Sequence, residues 1–566
     1  MHNQVLNHGD SETLRRLILR AFVPPWLTRT LLWFAPITFL LIFFFLPLSK
    51  ILSLTFDPST ILDANNLRIT YHALSFTFYQ ATLSTILTFV LGLPSAVLFS
   101  RFDFRGKPLL HALTSVPFML PTVVVAAAFN SLFGNHGLFS SFTQSVHPSP
   151  FSLILTAHVF YNTTIVIRIV GNALSRLDPK LEQAARSLGA NTFRVWKNVT
   201  LPLLRPSLFA AALLVFMFDF TSFGVILLLG GTNFSTLEVE IYLRALRLPN
   251  LPLAAMLSVV QILFTLTFSF LYTRTINQVT TQIAPRFATS RPPKSLREKA
   301  FVFTFYLLLV SFFALPLLSL PIRSLARLEA DRGQRSEVQY GLTTDYYREL
   351  FVNRRGSLFY VPPIDAAKNS LGYAGLTVFL SLVLGYPAAY ALAKPARLEK
   401  FLDPLIMLPL GASAVMLGLG FILSFGRALA SPWFVPIAHT LIALPFVIRT
   451  LQPALASIPE RLRQAAATLG ASPFRVWQTV DFPILSRATL SAATFAFTVS
   501  LGEFGATLLL TRPEYPTIPI AIQRFLSQPG GLNFGQAMAM ATMLMLLTMI
   551  SILLIERLRL SDSGEF

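Results

Sequence analysis

Long apolar stretches alternate with short polar stretches along almost the whole chain. A helix needs about 20 residues to cross the hydrocarbon core of a bilayer. Twelve apolar windows come close to that length, and they predict an all-α polytopic membrane protein with about 12 transmembrane helices. The windows lie at 31–54, 76–100, 113–134, 151–173, 206–230, 252–273, 301–322, 369–393, 403–426, 432–455, 487–511 and 535–555.

Composition excludes a single soluble enzyme. Of the 566 residues, 54% are hydrophobic and only 13% are charged, whereas about 25% of residues are charged in a typical soluble domain. The chain contains no cysteine, which excludes disulfides, thiolate catalysis and cysteine-ligated metal sites. The remaining class is a helical protein that crosses a lipid bilayer many times.

The net charge of +19 is concentrated in short loops between the apolar windows. Basic residues are enriched in the cytoplasmic loops of membrane proteins, so we interpret this charge as an orientation signal and expect no nucleic-acid partner. Arg101, Arg105 and Lys107 follow the second window, and a basic linker, 281–300, follows the sixth. We therefore expect both chain ends, including the segment 1–30, to be cytoplasmic.

The segment 323–366 is the exception to this charge pattern. The alternation of spans places it outside, yet it contains seven arginines. Long loops follow the charge rule poorly. We therefore keep the orientation and expect this segment to form a small external subdomain.

The chain also contains an internal repeat. LDPKLEQAARSLGANTFRVWKNVTLP begins at Leu177, IPERLRQAAATLGASPFRVWQTVDFP begins at Ile458, and 13 of their 26 positions are identical. The offset is 281 residues here and 293 residues farther upstream, where LGLP resembles LGYP. We expect two parallel six-helix modules, 31–280 and 301–566, with the solute path at their interface.

The best-matched segments of the two modules are polar loops, 177–205 and 458–487, rather than apolar spans. In the first loop, leucine and alanine residues recur at helical spacing from Leu181 to Leu188. Gly189 then either ends this helix or lets another backbone approach closely. Such a helix suits a groove in a partner protein or the surface of the membrane, and the pattern alone leaves both open.

These loops resemble the cytoplasmic signature of the permeases of binding-protein-dependent ABC transporters. The signature is an EAA triplet followed by a glycine and then a proline, and both copies keep its spacing. Glutamine replaces the signature's glutamate in both copies, which removes a charge but keeps hydrogen bonding. The matching residues are Gln183, Ala184, Ala185, Gly189 and Pro202 in the first loop and Gln464, Ala465, Ala466, Gly470 and Pro483 in the second.

The resemblance implies that each loop is a coupling loop seated on one copy of a cytoplasmic ATP-binding subunit. ATP and Mg²⁺ would be bound by that partner, because this chain has no Walker A sequence. We expect no cofactor in this chain and no enzymatic activity of its own. An external or periplasmic solute-binding protein would deliver the solute, and the chain would lie in the inner membrane of a bacterial cell.

A chain with two fused permease modules resembles the importers for ferric iron and for thiamine. The segments TSFGVILLLGG and FSTLEVEIYLRAL are close to that group, whereas LGEFGATLLL also resembles the oxyanion permeases for molybdate or sulfate. We therefore expect ferric iron or a thiamine-like compound as the solute. The alternative is a twelve-helix ion-coupled secondary transporter, which would need no ATPase.

Acidic residues inside predicted spans are costly and suggest function. Asp219 lies in the fifth window and Glu503 in the eleventh, about one helical turn apart on equivalent helices in the repeat register. We expect both acids to line the translocation path. The alternative is a hydrogen bond to a neighbouring helix. His158 and His439 are also equivalent, and we expect them to pack between helices.

Overall fold

The computed structural model describes residues 25–134, 137–139, 148–280, 290–327, 341–353 and 362–560. Most of these residues are helical, and their strands are one short antiparallel pair, Ala326–Arg327 with Gly341–Leu342. The expected all-α membrane architecture is confirmed. Most of the segment 1–30, about half of the linker 281–300 and four of the seven arginines in 323–366 lie outside the described residues.

Ten uninterrupted helices in the described chain can cross a membrane, and two bent helix pairs bring the total to 12 spans. In chain order, the spans are 1 (Leu31–Thr55), 2 (Ala64–Arg101), 3 (Lys107–Met119 with Thr122–Phe133), 4 (Pro150–Arg176), 5 (Thr192–Phe220), 6 (Leu251–Thr275), 7 (Leu296–Leu325), 8 (Pro363–Ala393), 9 (Arg397–Gly411 with Ala414–Ala430), 10 (Phe434–Ser457), 11 (Phe474–Gly502) and 12 (Gly531–Ser551). Shorter helices are Pro58–Ile61, Pro179–Ser187, Gly224–Gly230, Leu237–Tyr242, Asp345–Glu349, Glu460–Thr468, Gly505–Leu510 and Ile518–Leu526.

Spans 3 and 9 are not the straight helices that the windows 113–134 and 403–426 predicted. They bend by 110° and 98°. In span 3 the bend precedes Pro121, which has no N–H and disfavours helical geometry in the residue before it. In span 9 the side chain of Ser413 accepts a hydrogen bond from the backbone N–H of Met416 and so starts a new helix.

The windows 206–230 and 487–511 were also wrong as single helices. A separate short helix follows span 5 at Gly224–Gly230, and another follows span 11 at Gly505–Leu510. Apolar composition continues through both breaks, so a hydropathy window cannot detect them. The breaks occur at equivalent positions of the two modules.

Each module is built around a close contact between its second and fourth helices. In the first module, spans 2 and 4 meet where Gly92 faces Val166; in the second, spans 8 and 10 meet where Gly385 faces Val447. A Cβ atom at Gly92 would lie 2.7 Å from the Cβ atom of Val166, and one at Gly385 would lie 2.8 Å from Cγ1 of Val447. The repeat therefore preserves a helix contact that leaves no room for a side chain.

The first span of each module packs against the other module. Trp33, Leu40 and Phe44 of span 1 are buried in an apolar cluster whose other buried members belong to the second module. Span 7 packs against the first module, where the ring centroids of Phe313 and Phe160 are 5.3 Å apart. This exchange joins the two modules into one packed unit.

The two modules also meet at the breaks that follow spans 5 and 11. Phe223 and Phe504, which are equivalent in the repeat, stack with their ring centroids 5.7 Å apart and their planes 25° apart. A Cβ atom at Gly224 would lie 3.2 Å from the ring of Phe504, and one at Gly502 would lie 3.3 Å from Cα of Pro121. The pseudo-twofold axis that relates the modules therefore passes between the two phenylalanines.

The contact at Gly385 makes a prediction about stability. We expect Gly385→Ala to lower the stability of the detergent-solubilised protein by about 1–3 kcal/mol, because the new methyl group overlaps a branched side chain with little rotamer freedom. Adding Val447→Ala should recover much of that loss. The control is Gly375→Ala in span 8, where a Cβ atom meets no atom within 4 Å. Equal melting temperatures for Gly385→Ala and Gly375→Ala would contradict the prediction.

Candidate functional site

The two predicted coupling loops adopt the same fold. In the first loop, helix Pro179–Ser187 is followed by Gly189 and by a second helical segment that continues into span 5. In the second loop, helix Glu460–Thr468 is followed by Gly470 and by a segment that continues into span 11. The sequence repeat is thus a repeat of structure, although the contacts of these loops with a partner stay a prediction.

Each glycine ends its loop helix by adopting a left-handed backbone conformation. Gly189 has a φ of 85° and Gly470 a φ of 82°. The N–H of Gly189 donates to the carbonyl of Arg186 at 2.9 Å, and the N–H of Gly470 donates to the carbonyl of Ala467 at 3.0 Å. A Cβ atom at either glycine would meet nothing within 4 Å. Within this chain, therefore, backbone conformation rather than a close approach requires glycine here.

The loops expose apolar side chains that nothing in the described chain covers. Leu188 is 90% exposed and Leu469 is 88% exposed, while the equivalent Phe193 and Phe474 are 73% and 69% exposed. The exposed signature residues include Gln183, Ala184, Gln464, Ala465 and Pro483. Three others are half-buried, namely Ala185, Pro202 and Ala466. The exposed surface of each loop is suited to contact with another surface.

Ion pairs attach each loop to its module in two different ways. In the first loop, Glu182 pairs with Arg101 at the end of span 2 and accepts a 3.0 Å hydrogen bond from the hydroxyl of Thr200. Arg463 is equivalent to Glu182, and it donates a 2.8 Å hydrogen bond to Asp481, which is equivalent to Thr200. The charge differences at these positions therefore serve contacts within the chain.

A second contact holds the loop of the second module. Lys394, at the end of span 8, donates a 2.6 Å hydrogen bond to Glu460. This hydrogen bond and the positive charge of Lys394 lower the pKa of Glu460. Glu460 therefore stays ionised to a lower pH than a glutamate without such a partner.

Asp219 lies in the last turn of span 5 and is completely buried. Its carboxylate accepts a 2.7 Å hydrogen bond from the side-chain amide of Asn162 in span 4. Its backbone carbonyl accepts a 2.7 Å hydrogen bond from the side chain of Gln80 in span 2. Asp219 therefore joins three helices of the first module, and whether it also lines the solute path stays a prediction.

Glu503 does not lie within a helix, which corrects the expectation that the two acids sit on equivalent helices. It follows the last residue of span 11 and adopts an extended conformation. Its carboxylate accepts hydrogen bonds of 2.9 Å from the backbone N–H groups of Ala506 and of Thr507. Glu503 therefore caps the short helix that begins at Gly505.

The two equivalent histidines contact these acids. His158 Nδ1 lies 3.5 Å from a carboxylate oxygen of Asp219, and His439 Nε2 lies 3.3 Å from one of Glu503. Both imidazoles are buried between helices, as expected from the sequence. The sequence did not predict that they lie beside the acids. The repeat register carried a signal, since it aligns each acid with a serine of the other module.

A cavity of about 650 Å³ lies between the two modules beyond span 5. Glu240 pairs with Arg244 at 3.1 Å in its wall, and Arg247 Nε donates to the hydroxyl of Tyr242 at 3.3 Å. The second module contributes Gln523, Leu526 and Ser527.

Nearby, Glu238 is buried and accepts a hydrogen bond from the side chain of Gln261. Glu238 was not predicted as a buried acid, because no apolar window contains it. The available signal was a pair of glutamates, Glu238 and Glu240, inside the otherwise largely apolar segment FSTLEVEIYLRAL.

Two stretches of the chain, 88–281 and 381–559, match the family described as the inner membrane component of binding-protein-dependent transport systems. Among curated proteins, the thiamine transport system permease protein ThiP of Brucella abortus (strain 2308) is 27% identical over 506 residues, covering 87% of this chain and 88% of that protein. ThiP of Escherichia coli (strain K12) is 26% identical over 504 residues, covering 86% and 89%.

A third relative is a probable ABC transporter permease protein, y4fN of Sinorhizobium fredii (strain NBRC 101917 / NGR234). It is 24% identical over 517 residues, covering 86% of this chain and 88% of that protein. The resemblance stated from the loops is therefore confirmed. The chain belongs to the family of inner-membrane components of binding-protein-dependent transport systems, and it contains the family's module twice.

Proposed function

We propose that this chain is the membrane subunit of an importer that moves thiamine or a thiamine-like solute inward by using ATP hydrolysis in a partner. The observation that carries the proposal is the pair of loops, which share one backbone fold and expose the same apolar residues on both modules. A secondary transporter gives no reason for two matched, solvent-exposed loops of this kind.

Each loop is proposed to dock on one ATP-binding subunit, so that two copies of the subunit serve one chain. Burial of one exposed leucine contributes about 1.5–3 kcal/mol, which makes Leu188 and Leu469 the main candidates for anchors. The shared glycine-ended helix supports the use of identical subunits. The partner would bind ATP and Mg²⁺, and an external solute-binding protein would deliver the solute.

Loop contacts support the proposed orientation, with both chain ends cytoplasmic. Arg101 belongs to the basic cluster after span 2, and its ion pair with Glu182 places that cluster beside the first coupling loop. The equivalent Lys394 contacts the second loop through Glu460. Basic loops and coupling loops thus lie on the same side of the membrane, as the charge rule expects for the cytoplasm.

The solute is proposed from the relatives, because several of them are named as thiamine permeases. Ferric iron has no such support among these relatives. The cavity between the modules has a volume of about 650 Å³, which lies within the range of about 300–1,000 Å³ for small-molecule sites. A compound of the size of thiamine is therefore compatible with it.

One prediction of the proposed function concerns energy coupling. We expect liposomes that contain this chain, its ATP-binding subunit and its solute-binding protein to accumulate labelled thiamine only when ATP and Mg²⁺ are supplied. Omission of the ATP-binding subunit should abolish uptake, because the sequence of this chain has no Walker A motif to hold ATP. Uptake driven by an ion gradient without that subunit would revive the secondary transporter. ATP-driven uptake of ferric iron but not of thiamine would contradict thiamine as the solute and leave the importer role standing.

Another prediction concerns docking of the ATP-binding subunit on the two loops. We expect Leu188→Asp with Leu469→Asp to weaken binding of the ATP-binding subunit at least about tenfold, because two apolar anchors become charged. Leu342→Asp is the matched control, since Leu342 is 92% exposed but lies outside both loops. Binding is measured by titrating the labelled ATP-binding subunit into the purified chain. Equal affinities for the double variant and the control would contradict docking at these loops.

A further inference from the structure

The repeat places one histidine and one acid in the same buried cluster of each module, but the acid changes position. At the offset of 281 residues, Asp219 is equivalent to Ser500, and Ser222 is equivalent to Glu503. Each module therefore has one acid and one serine at these two positions, in opposite order. We define the two clusters by their histidines, as the His158 clamp and the His439 clamp.

The His158 clamp joins three parts of the first module. Nδ1 of His158, in span 4, lies 3.0 Å from the hydroxyl of Ser84 in span 2 and 3.5 Å from the carboxylate of Asp219 in span 5. Nε2 lies 2.9 Å from the hydroxyl of Ser222 in the break after span 5. The acid is therefore on the Nδ1 side, and the serine in the break is on the Nε2 side.

The His439 clamp has the opposite arrangement. Nδ1 of His439 lies 2.7 Å from the hydroxyl of Ser500, which donates a 3.2 Å hydrogen bond to Thr377 in span 8. Nε2 lies 2.8 Å from the hydroxyl of Thr507 and 3.3 Å from the carboxylate of Glu503 in the break after span 11. The acid is now on the Nε2 side.

We propose that each histidine is a positioning residue that fixes the break before the short interface helix, and that each clamp requires one carboxylate in either of the two positions. In each cluster a hydroxyl lies within 3.0 Å of each ring nitrogen, and the carboxylate lies 3.5 Å (Asp219) or 3.3 Å (Glu503) from one of them, where its charge favours an N–H on that side of the ring. Either order satisfies this requirement, because the imidazole presents one nitrogen to each side.

The position of the clamps explains why they matter for transport. Phe223 and Phe504, which stack at the interface of the modules, directly follow Ser222 and Glu503. His158 lies 18 residues before the end of span 4, and His439 lies 18 residues before the end of span 10. This separation corresponds to roughly 27 Å along a helix. The clamps thus hold the interface helices to the same spans that lead into the coupling loops.

The exchange distinguishes a clamp from a solute contact. If solute binds Asp219 directly, the acid must stay at that position. If the acid serves the imidazole, it can move to position 222, where the second module already places its glutamate. The effect on transport rests on the proposed function, but the clamp itself is testable in the purified chain.

The test compares Asp219→Ser with the exchange variant that combines Asp219→Ser and Ser222→Glu. Hydrogen–deuterium exchange is measured in the purified full chain for residues 220–230, with residues 501–510 as the internal control. We expect Asp219→Ser to speed hydrogen exchange of residues 220–230 by about tenfold or more, because His158 loses the carboxylate that fixes its N–H and therefore holds Ser222 of the break less firmly. In the exchange variant the hydrogen–deuterium exchange rate of residues 220–230 should return close to the wild-type rate. The rate of residues 501–510 should change in neither variant.

Two outcomes would overturn the clamp. One is a wild-type rate of hydrogen–deuterium exchange in Asp219→Ser. The other is a folded double variant, Asp219→Ser with Ser222→Glu, in which residues 220–230 take up deuterium as fast as in Asp219→Ser alone. When His158→Gln is added to the double variant, residues 220–230 should keep the fast deuterium uptake of Asp219→Ser, since the imidazole that the acid contacts is lost. A return to the wild-type rate in this triple variant would also overturn the proposal.

Transport supplies a readout that a merely structural role would not move. In liposomes with the partner proteins, we expect Asp219→Ser to keep ATP hydrolysis while the amount of solute moved per ATP falls at least about fivefold. The exchange variant should recover most of this ratio, and failure to recover it would overturn the role in coupling. Failure of wild-type uptake would contradict the proposed function without affecting the exchange measurement.

Discussion

A helix that breaks inside the apolar layer must have its free backbone groups satisfied by protein, because lipid offers no hydrogen bonds. The structure meets this constraint with side chains at the breaks. Glu503 accepts from two N–H groups of the helix that follows it, and Ser413 accepts from the N–H of Met416. The breaks of spans 5 and 11 therefore lie where the two modules cover them, and the interface is arranged around them.

Exchange of the first spans makes this interface possible. Span 1 packs on the second module and span 7 on the first, so that neither six-helix unit buries its apolar surface alone. At the centre, Phe223 stacks on Phe504 across the pseudo-twofold axis.

The two modules share backbone geometry more closely than side-chain chemistry. The coupling loops end in the same left-handed glycine, yet Glu182 and Arg463 attach them through opposite charges. The histidines occupy equivalent positions, yet their acids are exchanged. Such pairs indicate that the shape of each local unit is retained while the partners within it are interchangeable, provided that each buried or half-buried charge keeps a partner.

The sequence by itself determined the helical membrane class and the repeat, because hydropathy and spacing are local properties. It left two roles open for Gly189, and the structure decided that the glycine ends the loop helix with a positive φ. The sequence predicted that His158 packs between helices, but not that an acid lies beside its ring. The bends at Pro121 and Ser413, the cap made by Glu503 and the exchange of spans 1 and 7 were decided only by the tertiary structure. Their cause is physical: an apolar window has the same composition whether it runs straight or breaks, and only the helices packed around a break determine whether its polar groups find partners.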